Sequence, residues 1–384
     1  MRYDFDKIVN RRGTNCYKYD EMPNDDTIAL WVADMDFETA PCVLDALKKR
    51  MEHGCFGYTK VPSSFYQATI DWFSRRHGWQ GIKKEWFIYT SGVVPAVSAI
   101  IKAMTQPGDK VLLHTPAYNC FFSSIKNNNT TPLCLPQGGV DSLPLGRSGG
   151  GLLLLCNPHN PTGHVWTEEE LTDIAERCRE KDIFVISDEI HCEFINPSCG
   201  KKYIPFATIA DKVNADGNFN GKKLKYAVCL SPTKAFNIAG LQIANIICPD
   251  DSIRRRIDRA ININEVCDVN PFGVIALQAA YTAEGEEWLT QLNEYIYANY
   301  DYEKAFIEEH FPTWKVTPLE ATYLMWVEVG TDADRLCKET LDNCNVYINP
   351  GSMYGDNSFI RINLATQRAR LEEALNRIAA WRKR

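Results

Sequence analysis

A chain of 384 residues with 45% hydrophobic content can bury a large core and is long enough for two domains, and its 9 Trp, 17 Tyr and 17 Phe argue against disorder. The net charge of -7 offers no basic field, so neither nucleic acid nor an anionic membrane surface is expected as a partner. The 14 cysteines form no C-x-x-C pair, and Cys192/Cys199 and Cys337/Cys344 are spaced for neither zinc nor redox work, so no metal is expected. Several of them (Cys156, Cys229, Cys248) sit in apolar runs, as small core residues do. The opening Met-Arg-Tyr-Asp-Phe-Asp lacks a signal-peptide core, and no apolar run approaches the roughly 18 residues of a membrane span. A reducing cytoplasm is therefore the expected compartment, and the sequons at Asn128 and Asn129 carry no meaning there.

Residues 1–40 begin polar and end in the apolar arm Ile28-Ala-Leu-Trp-Val-Ala-Asp-Met-Asp36, which carries two carboxylates. Pro41 opens a helical pattern with Val43, Leu44 and Leu47 on one face. Phe56-Gly-Tyr58-Thr is an aromatic turn, and residues 63–77 read as a helix stopped at His77-Gly78. Phe87 to Thr90 is a strand feeding Ser91-Gly92, and Val93 to Met104 is a buried helix with Pro95 tolerated in its first turn. Such a junction exposes free backbone N–H groups at a helix N-terminus, which suits an anion as well as it suits an ordinary serine-capped turn. Val111 to His114 is the next strand, with Thr115-Pro-Ala-Tyr118 at its end. Residues 126–151 are polar and rich in Gly and Pro, and a loop is expected; their glycines do not make a dinucleotide fingerprint.

Leu152 to Cys156 is a continuous apolar run of the kind parallel sheets bury on both faces, and it opens into Asn157-Pro-His-Asn-Pro-Thr-Gly163. Thr167 and Glu170 make a capping box for a helix to about Glu180. Ile183 to Ile186 is a further buried strand, running into Ser187-Asp-Glu-Ile-His191. Residues 211–225 read as a charged surface stretch, in which Gly217 to Lys222 falls short of a P-loop. The strand Tyr226 to Leu230 then delivers Ser231-Pro-Thr-Lys234. A lysine lowered into a dry pocket loses proton affinity and becomes a nucleophile or base toward carbonyl compounds, pyridoxal phosphate among them. The same residues also read as a loop lysine facing water, or as the Ser-x-x-Lys of a serine acylase, although the Ser-Asp-Asn and Lys-Thr-Gly partners of that motif are missing.

Residues 271–309 read as one long helical connection, with strands at 323–329 and 359–364 and helices near 332–343 and 368–383. Period two puts Ile360, Ile362 and Leu364 on one face of the last strand and Arg361 on the other, where it either clamps a carboxylate or pairs with an acid at the rim. Strands alternating with helices predict an α/β fold built on a mostly parallel, doubly wound sheet, whose ligands lie beyond the carboxyl ends of its strands. Gly92, Tyr118, Asn160, Asp188 and Lys234 all fall at such ends, so one crevice can collect them. The expected division is an arm over 1–45, a large cofactor-binding domain over 46–275 and a small α+β domain over 276–384.

Together these residues supply what amino-acid chemistry on a pyridoxal ring requires: an amine, an acid at the ring nitrogen, a donor to the ring oxygen, a phosphate cradle, a flat neighbour and a cation for the substrate carboxylate. Over nearly its whole length the chain resembles the fold-type I pyridoxal-phosphate enzymes of the aspartate aminotransferase superfamily, on the strength of Asn157 to Gly163 and Lys234. Trp31 to Asp36, Phe56-Gly-Tyr58, Ser187 to His191 and Lys234-Ala-Phe-Asn-Ile-Ala-Gly240 resemble the MalY/PatB-type C–S lyase (cystathionine β-lyase) branch. The resemblance implies a seven-stranded-type sheet, and pyridoxal 5'-phosphate held by Lys234 as Schiff-base lysine and by Asp188 at the pyridine nitrogen. It further implies Asn160 at the ring oxygen, Tyr118 stacked on the ring, Ile190 beneath it and His191 near its oxygen. Gly92, Val93, Val94, Ser231 and Thr233 match the phosphate cradle, and Ala33, Asn160 and Arg361 the substrate carboxylate site. Tyr58 matches a tyrosine that reaches the neighbouring subunit's phosphate, which implies a homodimer with composite sites. Where aminotransferases carry an arginine eight residues after the lysine, this chain has Gln242, as the lyase branch tends to. The implied activity is β-elimination from a sulfur-containing amino acid, with transamination and a non-catalytic, cofactor-binding regulator as alternatives.

Overall fold

A computed structural model describes residues 3–136, 151–216, 221–265 and 268–383. Seven strands form the main sheet: β2 (Phe87–Thr90), β3 (Lys110–Thr115), β4 (Thr131–Pro136), β5 (Gly151–Cys156), β6 (Ile183–Asp188), β7 (Tyr226–Leu230) and β8 (Ala244–Ile247), in the order β2-β8-β7-β6-β5-β3-β4. Only β8 runs against the others, so the carboxyl ends of the remaining six share one edge. The mostly parallel sheet expected from the apolar runs is present.

Each buried strand feeds two cores because its side chains alternate. Leu153, Leu155, Val185, Val228 and Leu230 join one core with helices α2 (Ser63–His77), α5 (Glu168–Glu180), α6 (Phe206–Ala215) and α8 (Pro271–Ala280). Leu152, Leu154, Phe184, Ile186, Ala227 and Cys229 join the other with α3 (Val93–Met104), α4 (Asn119–Asn127) and α7 (Asp251–Asn262). Both faces of the sheet are thereby closed to water, which leaves the loop-bearing carboxyl edge as the place for a site.

A second sheet of four strands is antiparallel, in the order β12 (Asn349–Pro350), β13 (Phe359–Asn363), β10 (Leu324–Glu328), β9 (Lys315–Val316). Helices α10 (Ala333–Cys344) and α11 (Arg368–Arg382) pack together beside it, and α11 rests on α9 (Ala283–His310). A short parallel pair, β1 (Ile28–Ala29) with β11 (Val346–Tyr347), ties the N-terminal arm to this part, and α1 (Pro41–Glu52) leads from the arm back to α8. Among the described residues no helix is long and apolar enough to cross a membrane.

Three expectations need correction. Residues 126–151 are not simply a loop: α4 runs to Asn127 and 131–136 form β4, while 137–150 lie outside the described residues. Among the described residues β4 pairs only with β3, as an edge strand, and keeps Pro132 and Pro136, so it lacks the continuous apolar signature of its buried neighbours. The charged stretch at 211–225 begins inside α6, which buries Phe206, Ile209, Ala210 and Val213 along one face; residues 217–220, within the rejected P-loop, lie outside the described residues. The helical connection at 271–309 is two helices broken at Tyr281 and Thr282, and the Thr282 hydroxyl accepts the Gly285 N–H at 3.2 Å as cap of α9.

Candidate active site

The chain visits β3, steps outward to β4, then crosses back to place β5 on the other side of β3. At such a reversal the flanking loops diverge and leave a crevice beyond the strand ends. A cavity of about 200 Å³ opens there, lined by residues that end or follow five of the strands. Ser91, Gly92, Val93 and Val94 follow β2, Tyr118 follows β3, and Cys156 and Asn160 come from β5 and its loop. Asp188, Ile190 and His191 come from β6 and its loop, Thr233, Lys234 and Ala239 follow β7, and Ala33 comes from the arm.

Lys234 is the group held under most constraint. Its Nζ donates to the Ala33 carbonyl at 2.5 Å, and burial pulls its pKa below that of an ordinary lysine. Tyr323 donates its hydroxyl to the same carbonyl at 3.0 Å, fixing the acceptor from behind. Asp188 lines the same cavity: burial pushes its carboxyl up to about 7, opposed by a hydrogen bond from the Ile190 N–H at 3.1 Å. His191, buried with Lys234 and Arg361 nearby, is held neutral by burial with its pKa pushed down to about 3, and its Nδ1 has no partner among the described residues. Burial likewise raises the Tyr118 phenol well above its ordinary range.

The N-terminus of α3 opens on the cavity. Its N-cap is Gly92, which has no side chain to satisfy the first-turn N–H groups, and Pro95 has no N–H to offer. The N–H groups of Val93 and Val94 are therefore free to face an anion. Thr233 completes this end. Ser231 stands behind it rather than on the wall: its hydroxyl donates to the Ile243 carbonyl at 2.5 Å, lies 2.8 Å from the Thr233 hydroxyl and accepts the Thr233 N–H at 3.1 Å.

Arg361 supplies the cation. It is 3% exposed, and its Nη1 donates to Asn160 Oδ1 at 3.3 Å while its Nη2 donates to the Trp31 carbonyl at 3.0 Å. The guanidinium lies over the Tyr354 ring at 4.5 Å, and its Nε has no partner among the described residues. A buried arginine with an uncommitted donor, placed beside an amine, is a fitting receptor for a carboxylate. Of the residues expected at the site, Tyr58 alone is remote: it is 99% exposed on its own chain. Gln242 is exposed as well and lies off the cavity wall.

Residues 25–378 match the model of a family described as aminotransferase class I and II. The chain belongs to the aminotransferase class I and II family. It is similar over 98% of its length to cystathionine beta-lyase PatB of Bacillus subtilis (strain 168), with 35% identity and 99% of that protein covered. Two solved structures of PLP-bound proteins superpose on nearly the whole chain. One, from Clostridium difficile 630 and provisionally assigned as an aminotransferase, has a TM-score of 0.89 at 36% identity, covering 98% of this chain and 99% of that one. The other, a C-S lyase from Staphylococcus hominis, has a TM-score of 0.85 at 31% identity, covering 98% of each.

Sequence reasoning overlooked several groups of this family member's cavity. Ser91 was visible only as part of the Ser-Gly junction, and Cys156 only as the last residue of an apolar run. Tyr323 sits inside a strand-like segment with nothing in its spacing to mark it, yet its hydroxyl fixes the acceptor for Lys234.

Proposed function

We propose that this chain holds pyridoxal 5'-phosphate covalently at Lys234 and catalyses β-elimination from a sulfur-containing amino acid, releasing a thiol, pyruvate and ammonia. The observation that carries the reading is one cavity joining an amine of lowered pKa and a buried carboxyl, with the buried Arg361 guanidinium bonded at 3.3 Å to Asn160 of its wall, in a chain 35% identical to PatB. The residues fit the cofactor: uncapped N–H groups of α3 and the Thr233 hydroxyl suit its phosphate, Asp188 its pyridine nitrogen, Asn160 its ring oxygen, and Tyr118 and Ile190 its two faces. Bound there, the cofactor supplies a sink for the electron pair left at the substrate Cα.

The chain's own groups do the rest. Arg361 takes the substrate α-carboxylate, assisted by Asn160 and the backbone near Ala33. The free Lys234 Nζ removes the Cα proton, a role that suits an amine whose pKa burial has lowered. Asp188 keeps a proton on the pyridine nitrogen. The Cβ–S bond then breaks, the sulfur leaves with the electron pair and takes up a proton from the Lys234 ammonium to give the thiol, and water hydrolyses the unsaturated amine to pyruvate and ammonia. Cystathionine, giving homocysteine, is the first substrate to try, followed by cysteine and its S-conjugates.

A homodimer with composite sites belongs to the same proposal, supported by the full exposure of Tyr58 and the partial exposure of Phe56 and Met51 on one surface loop and helix end. So do a cytoplasmic location, which suits the unpaired state of the described cysteines, and the division into 1–45, 46–275 and 276–384. Transamination is the second reading, favoured by the family and by the Clostridium difficile structure; a non-catalytic regulator is the third. Incubation with cystathionine and no keto acid separates them. Stoichiometric pyruvate and free thiol are expected, whereas turnover that needs a keto acceptor would overturn elimination in favour of transamination.

A further inference from the structure

The arm segment Trp31–Phe37 runs past the cavity outside any strand, yet its backbone carbonyls are held by side chains. From the second sheet and its neighbours, Arg361 holds Trp31, Tyr323 holds Ala33, and Asn363 holds both Val32 (2.7 Å) and Asp34 (2.6 Å). From the loop after β7 come only Lys234 and Asn237 among the described side-chain bonds. Asn237 makes three: its Nδ2 donates to the carbonyls of Met35 at 2.9 Å and Phe37 at 2.8 Å, and its Oδ1 accepts the Met35 N–H at 3.0 Å. Its backbone is left-handed (φ 52), a conformation asparagine tolerates better than most residues.

The Lys234 bond to Ala33 cannot persist through a reaction that uses the same amine. Each time it breaks, the loop after β7 keeps hold of the strap through Asn237 alone. Trp31, two residues upstream of Ala33, offers one of the two hydrogen-bond acceptors of the Arg361 guanidinium, a carbonyl that Asn349 also holds at 3.0 Å, so a strap that shifts register draws that acceptor away from Arg361. We propose that Asn237 is a positioning residue: its three bonds keep the strap seated while Lys234 is in use, and through Trp31 keep Arg361 aimed at the substrate carboxylate. This rests on the roles proposed above for Lys234 and Arg361.

Asn237→Gly removes the side chain while keeping the left-handed backbone accessible. In cofactor-free protein, hydrogen exchange of a peptide spanning 31–37 is expected to quicken by about tenfold or more, in keeping with loss of two or three net hydrogen bonds. In the holoprotein, affinity for L-alanine, which has no leaving group at Cβ, is expected to fall about tenfold by calorimetry, with KM for the sulfur substrate rising in step and kcat changing less than about threefold. Asn237→Asp, which keeps the acceptor for Met35 N–H but turns a carboxylate oxygen on the two carbonyls, is expected to loosen the strap at least as far, and serves alone if the glycine variant does not fold. Unchanged exchange at 31–37, or faster exchange with L-alanine affinity unaltered, would overturn the proposal. Absence of elimination with every sulfur amino acid would instead remove the proposed function, while exchange and L-alanine binding would still decide the role of Asn237.

Discussion

Lys234 and Asp188 face one cavity, and the same cause moves them in opposite directions. Burial penalises whichever form is charged, so it lowers the pKa of the amine and raises that of the carboxyl. For Asp188 the consequence is a pH-dependent cost in cofactor-free protein. Its folded pKa of about 7 lies above the 3.8 of an ordinary aspartate, so folding binds a proton between those values. Stability tied to this group is fully present below about pH 4 and is lost as pH rises through 7. Glu303, buried without a partner for either oxygen among the described residues and pushed up to about 8, acts in the same direction, so only a comparison between variants isolates Asp188. Asp188→Asn apoprotein is expected to match the wild type at pH 4 and to exceed it at pH 8 by on the order of 4 kcal/mol in urea unfolding. Equal stability at both pH values would mean that Asp188 is ionised at no cost, and that its site is wetter than its burial indicates. Lys234→Ala offers the companion measurement. It should abolish both turnover and the visible absorbance of bound cofactor while leaving the far-UV circular dichroism unchanged.

Elements differ in how much of themselves they display in the sequence, and the reason is the number of faces they bury. β5, β6 and β7 announce themselves as apolar runs because both of their faces enter cores. β4 does not, since an edge strand tolerates the prolines and exposed positions that look like loop. The break between α8 and α9 is hidden for a different reason. It depends on Gly285, where an added Cβ would fall 2.0 Å from the Ala280 carbonyl oxygen, a contact that no local pattern reveals. Gly285→Ala must push the start of α9 off the end of α8 and is expected to cost about 1–3 kcal/mol or more in denaturant unfolding. Gly240→Ala, with nothing within 4 Å of its Cβ and no positive φ, should stay within about 0.5 kcal/mol of the wild type. The site shows the same division. Strand-end residues such as Asp188, Asn160 and Lys234 were legible because topology alone brings strand ends together. The seating of Ser231 was not, because its hydroxyl partner Ile243 belongs to the turn leading into β8. The strap was not either: Asn237 and Asn363 meet the carbonyls of 32–37 from positions at least 200 residues away.

On the scale of the whole molecule, the expected site residue that lies far from its own cavity is the one that tests the proposed assembly. Tyr58 is 99% exposed, in a loop whose neighbours Phe56 and Met51 are also open to water. Three such side chains on one surface are costly to leave in water and useful against a second copy. If Tyr58 completes the partner's site, two damaged subunits can repair each other. A Lys234→Ala subunit keeps a sound Tyr58, and a Tyr58→Ala subunit keeps a sound Lys234. Either variant alone should be impaired, Lys234→Ala completely and Tyr58→Ala through weakened phosphate binding. In a hybrid dimer one site combines the intact lysine with the intact tyrosine, and the other combines both lesions. Random pairing of equal amounts makes half of the dimers hybrids with one sound site each, so restored activity of about a quarter of the wild type is expected from composite C2 geometry. Co-expression with two different affinity tags isolates the hybrid, whose activity should then approach half. A hybrid no more active than the mean of its parents would place Tyr58 outside the partner's site, even if the protein is dimeric.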